Sequence, residues 1–250
     1  MARAKDNQPY ADLSAYAIAC IIKGYADEGG WNGESMQFLR ERGYLKGREL
    51  TPKGEFASKI YGYEIQMAEM RERRMFDGLP HDRLNVLVGA VVFESKKSDW
   101  YRHPERGVVE PFRRPAIRLL REIREHEERL GIDPPTKEAD FCLSSAFHAW
   151  STGTPFEDLD RHASASAGDL VRAFRLEIQL LRQTARALDP QDPAAGLFLR
   201  AMRSICRGVV DAERQLRQST EEPAAFPLET PAEPGEAPAA PPPDDGEPLA

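Results

Sequence analysis

The stretch GDLVRAFRLEIQLLRQTARAL, residues 168–188, decides how this chain is read. Its apolar residues Leu170, Val171, Phe174, Ile178, Leu181, Ala185 and Leu188 recur at the spacing that gathers side chains on one face of an α-helix. On the same wheel Arg172, Arg175, Gln179, Arg182 and Arg186 form a second stripe about 80° wide, clear of the first. One face therefore packs while the other presents guanidinium groups. Ser166, three residues before Asp169, predicts the start through a capping box. Periodicity leaves two readings open: a solvated arginine face, or a surface that meets a nucleic-acid strand.

Charge is distributed unevenly. The net charge is −7, with 34 basic and 41 acidic residues. Eight of the acids lie in residues 221–250, which hold no Lys or Arg, so the remainder is close to neutral and a polyanionic partner is not excluded. The same segment has nine prolines, which predicts a disordered, acidic Pro/Ala-rich tail over 220–250, read as a solubilising element. Cys20, Cys142 and Cys206 are odd in number and far apart, so neither a disulfide framework nor a zinc site is expected, and each is read as a small buried apolar residue. No apolar run approaches the roughly 18 residues of a membrane span, and the N-terminus lacks a signal-peptide core. No membrane association and a reducing, cytoplasmic location are expected.

Upstream of the arginine-striped helix, Leu13 to Ala26 reads as a buried helix and Glu34 to Arg42 as a short one ended by Gly43. Tyr44 to Thr51 has the pattern of a small β-hairpin. Helix, helix, hairpin is the order of a winged-helix module; Glu34, Arg40, Glu41 and Arg42 on its second helix suit phosphate contact or packing better than base readout. Pro52 opens a long helical pattern toward Met75, with a bend at Gly62, and His81 to Glu94 resumes it with apolar residues on more than one side. Ser95 to Pro115 reads as a long loop, and Ala116 to Leu130 as a helix with charged outer positions.

Asp140 to Thr152 is expected as a buried helix stopped by Gly153, with His148 a packing residue rather than a ligand. Thr154 to Glu157 looks like a capping box opening a short helix to Asp160. A final helix is predicted from Asp192-Pro193 to about Gln218. The fold class is thus mainly α: a flexible N-terminus (1–12), a winged-helix module with its exit helix (13–75), a helical bundle (76–219) and the tail.

The dipeptide Gly-Lys does not occur, so there is no G-x-x-x-x-G-K-[ST] phosphate loop, and G-x-S-x-G and H-E-x-x-H are also missing. The residues give no catalytic constellation, and neither a metal nor a cofactor is expected.

Three blocks, taken together and in order, resemble the C-terminal region of the superkiller-type DExH-box RNA helicases. Leu50 to Glu94 is similar to that family's winged-helix exit, with Thr51-Pro52-x-Gly54, the Phe76-x-x-Leu79 break and Val91-x-Phe93-Glu94. Phe147 to Ala185 resembles its helical DSHCT domain, through Trp150-x-x-Gly153-x-x-Phe156 and Gly168-x-Leu170-x-Arg172-x-x-Arg175. Ile205-Cys206-Arg207-Gly208-Val209-Val210 fits its closing helix.

The resemblance implies a bundle closing one side of a helicase channel, with a ratchet helix on single-stranded RNA. It puts the base-contacting arginine at Arg172, a second at Arg175, and an acidic partner near Glu122. Where the family commonly has a further basic residue, this chain has Leu176. The family's two RecA-like ATPase lobes are not in the sequence, which starts about a dozen residues before the winged helix. The expectation is a stand-alone or split-gene product, or a remnant, that serves as an accessory module, contacts single-stranded RNA through Arg172, Arg175 and Arg182 and docks a separate ATPase motor. Two alternatives stay open: a protein-interaction module that docks a helicase core without binding RNA, and a winged-helix DNA-binding regulator.

Overall fold

A computed structural model describes residues 26–27, 30–31, 33–47, 49–95, 106–132 and 136–207. Most of the helix expected over 13–26, the predicted tail and the last turns of the final helix lie outside these residues. The elements are β1 (Ala26–Asp27), β2 (Gly30–Trp31), α1 (Gly33–Glu41), β3 (Leu45–Lys46), β4 (Glu49–Leu50), α2 (Pro52–Ser58), α3 (Glu64–Glu72), α4 (His81–Val92), α5 (Arg106–Arg129) and α6 (Ser144–Thr152), then a 3-10 helix (Phe156–Arg161), α7 (Ala167–Ala187) and α8 (Pro193–Cys206). The fold is mostly helical. Antiparallel hairpins pair β1 with β2 and β3 with β4, the latter in the register Leu45↔Leu50.

Helix α4 is the axis. Every residue from Leu84 to Val92 is buried, as an all-round apolar sequence requires, and α4 packs against α5, α6, α7 and α8. Two polar contacts fix its register. Asn85 donates to the Ala201 carbonyl (3.3 Å) and to Ser204 Oγ (2.8 Å) on α8, and Gly89 allows α6 close, since a Cβ there would sit 2.6 Å from the Phe147 ring. Phe147 meets Phe174 of α7 edge-on at 5.3 Å, and Trp150 stacks on Phe174 at 5.4 Å while its indole N–H donates to the Ile205 carbonyl at 2.8 Å. These aromatics lock α6, α7 and α8 together.

The α1–hairpin segment docks through buried charge. Glu69 of α3, 2% exposed, receives Arg42 at 3.0 Å, Lys53 at 2.7 Å and the Tyr44 hydroxyl at 3.0 Å. Glu41 reaches His126 of α5 at 2.7 Å. One hydrophobic core runs from Phe38 through Ile205.

Five expectations need correction. The helix expected from Pro52 toward Met75 is two helices: Gly62 sits at φ +87°, a left-handed conformation, and its N–H donates to Glu64 Oε1 at 2.6 Å, which ends one segment and starts the next. The loop expected over 95–115 is helical from Arg106, because Val109, Phe112, Ala116 and Leu119 already carry the inward spacing while Pro111 and Pro115 face solvent. The helix expected from Asp140 begins at Ser144; Asp140 instead accepts the Cys142 and Ser95 backbone N–H groups at 2.9 and 2.7 Å. At 154–157 no side chain caps, and Pro155 stands at the N-cap of a 3-10 helix rather than inside it. Cys142 and Cys206 are half-buried rather than buried. His148 packs with Nε2 3.3 Å from Asp82.

Candidate nucleic-acid interface

Helix α7 begins as its sequence predicts, with Ser166 Oγ accepting the Asp169 N–H at 3.1 Å. Leu170, Val171, Phe174 and Leu181 are buried, and Arg172, Arg175, Gln179, Arg182 and Arg186 are exposed. The two stripes are therefore real, but the arginines do not all face the same surroundings.

Arg172 lines a hollow of about 410 Å³ whose other walls include Tyr63, Phe93, Glu94, Lys137 and Asp169. Among the described residues it makes no ion pair. Lys137 donates to Glu94 at 2.5 Å, so that carboxylate has a cation of its own. Burial pushes the Tyr63 phenol up, and the fields of Lys137 and Arg172 oppose it. A second hollow of about 330 Å³ continues along α7, sharing Tyr63, Lys137 and Leu176 with the first and adding Tyr61, Gln66, Gln179 and Gln183. Arg172 thus heads a groove between α7, the Tyr61–Tyr63 turn and the segments at 93–95 and 137.

The other predicted residues are placed differently. Arg175 is exposed and engaged within the chain. Arg182 lies on the outer flank beside α8, near enough that its charge opposes the upward push of burial on the Cys206 thiol. Glu122 pairs with Arg73 at 2.9 Å and does not line the hollow; the carboxylates that do are Glu94 and Asp169. Leu176, where the related family commonly has a base, forms the floor shared by both hollows.

Sequence reading missed Tyr61, Tyr63, Glu94 and Lys137. The available signal was Tyr61-Gly62-Tyr63, two aromatics around a glycine inside an otherwise helical pattern. Arg40, by contrast, donates to the Gly47 carbonyl at 3.2 Å, and Arg42 is taken by Glu69, so the arginines at the end of α1 and just after it are engaged within the chain. Among the described residues no helix is long and apolar enough to cross a membrane.

The model of the DSHCT (NUC185) domain matches residues 47–213, from the β3–β4 turn to beyond α8. "Exosome RNA helicase MTR4" of Mus musculus and that of Homo sapiens are each 25% identical to this chain over 155 residues, covering 60% of the chain and 15% of the helicase. The chain therefore corresponds to a small part of the length of those relatives. Since the domain match takes in more than half of the 250 residues, the chain belongs to the DSHCT family, a helicase-associated domain.

Proposed function

We propose that this chain is an accessory module of an ATP-dependent DExH-type RNA helicase and contacts single-stranded RNA along α7. The observation that carries the proposal is Arg172: exposed, without an ion-pair partner among the described residues, and at the head of a groove lined by aromatic, amide and cationic side chains. A guanidinium can pair with a phosphate or stack on a base without requiring a particular sequence, which suits a strand that slides. Arg175, Arg182 and Arg186 add positive field on the flank rather than contacts in the groove. The helix–hairpin segment at 33–50, read as part of a winged helix, serves as scaffold; the engagement of Arg40 and Arg42 within the chain favours the single strand over duplex DNA as the partner. Hydrolysis is assigned to a RecA-like motor outside these residues, since they carry no phosphate loop.

Fluorescence anisotropy with a labelled single-stranded RNA tests this. Binding is expected to weaken with salt, and Arg172→Ala to reduce the slope of log affinity against log salt by about 0.7, the contribution of one phosphate on a single strand. Arg172→Glu should lower affinity at least tenfold at low salt, with Arg182→Ala close to wild type. Unchanged binding by Arg172→Glu would remove the assignment, and retention of a helicase core in a pull-down without RNA affinity would leave a docking module only.

A further inference from the structure

The second hollow differs in chemistry from the first. Around Arg172 the lining carries Lys137, Glu94 and Asp169; along Gln179 to Gln183 it carries amides, leucines and tyrosines, with Lys137 at the shared edge. Tyr61 is 63% exposed, and of the large apolar side chains among the described residues only Leu199 is exposed with it. That exposure is built into the backbone. The Tyr61 N–H donates to Gln183 Oε1 at 2.8 Å, tying the turn to α7, and Gly62 with its N–H on Glu64 fixes the conformation next to it. A backbone N–H only donates, so the Gln183 atom facing it must be the oxygen, which leaves the side-chain amino group with two donors at the wall of the hollow. Gln66 and Gln179 add a donor and an acceptor group each.

The geometry points to a base-binding subsite: an unstacked nucleobase lies against the Tyr61 ring, with an acceptor-bearing edge toward Gln183, while the strand's phosphate is held at Arg172. This rests on the RNA contact proposed above and adds the residues that hold the base. A planar, neutral ring with polar edges matches a compartment of flat aromatic wall, leucine floor and amide rim, and the neighbouring cationic compartment matches the charge that follows each base along the chain. Three glutamines, each carrying both donor and acceptor, accept several bases, as a sequence-tolerant grip requires.

The test compares wild type, Tyr61→Ala, Tyr61→Phe and Arg172→Glu on a labelled oligouridylate and on an abasic ribose-phosphate strand of equal length, by anisotropy at low salt. Tyr61→Ala is expected to weaken oligouridylate binding about 5-fold or more, roughly 1 kcal/mol, at the lower end of what one base–aromatic stack contributes. Tyr61→Phe should bind like wild type, and wild type and Tyr61→Ala should bind the abasic strand equally. Wild-type affinity of Tyr61→Ala for oligouridylate, or equal weakening on both strands, overturns the subsite. If that happens while Arg172→Glu still loses both strands, strand contact at Arg172 stands and only the base site is gone. If wild type binds neither strand, strand contact itself has failed and the groove is left to a polypeptide partner.

Discussion

Replacing Glu177 with methionine should stabilise the fold, and by an amount that grows with pH. Glu177 lies on the inner side of α7 with 0% exposure, and neither carboxyl oxygen has a hydrogen-bond partner among the described residues. Burial pushes its carboxyl well above the usual 4.5. The sign follows from linkage. A carboxyl whose folded-state pKa is raised is protonated in both states below about 4.5, and above that the unfolded chain gains ionisation that the folded chain resists. Stability contributed at low pH is therefore lost as pH rises, by about 1.4 kcal/mol per pH unit while the folded carboxyl stays protonated. Methionine is unbranched, of similar length and without a polar group, so it leaves no hole and no unmet hydrogen bond. At about pH 4.5 the variant should gain roughly 1–3 kcal/mol, the cost of an unpaired buried polar group. From there the gap to wild type should widen as pH rises, for as long as the folded carboxyl stays protonated. Urea unfolding followed by the fluorescence of buried Trp150, at several pH values from about 4.5 to 7.5, measures it, and subtracting wild type from variant cancels the other titrating groups. A gap that does not change with pH, or a variant less stable than wild type, would mean that Glu177 is solvated or paired and that α7 is not packed as described.

Two further substitutions probe the frame around the groove. Burial pushes Glu64 up to about 7, so its ionised form weakens the fold as pH rises from about 4.5 through that value; Glu64→Gln keeps an acceptor for the Gly62 N–H and should flatten stability over that window, read from urea midpoints against pH. Gly89→Ala puts a methyl group 2.6 Å from the Phe147 ring and should lower stability by about 1–3 kcal/mol in thermal unfolding, with partial recovery in the Gly89→Ala, Phe147→Leu double variant.

What the sequence made legible is what depends on neighbours along the chain. The register of α7 and its Ser166 cap come from residues a turn apart, and the αL stop at Gly153, with φ +116°, from a single glycine. The break at 59–63 was harder to read because Ile60, Ile65 and Met67 are all buried, and the same apolar order serves one bent helix or two. Pro111 and Pro115 argued for a loop, and the inward row of Val109, Phe112 and Ala116 outweighed them. Partners across the fold were not legible at all. The wheel places Glu122 on the outside of α5, but its pairing with Arg73, 49 residues earlier, is a property of how α3 and α5 meet.

The same distinction explains why only part of the arginine stripe enters the groove. Successive positions on one face differ by tens of degrees around the helix, and a groove edge passes between them. Arg172 and Gln179 fall on the side of the Tyr61–Tyr63 turn, while Arg182 falls toward α8 and Cys206. A stripe read as one binding surface is therefore two: a lip of a groove walled by three distant segments, and a cationic flank. If the proposed RNA contact holds, a strand gripped and released repeatedly would make use of this division. Under that proposal the flank would draw polyanion from solution without holding it, and the groove would offer contacts on a wall already tied to α7 by the Tyr61–Gln183 bond, so that little ordering would be needed at each step.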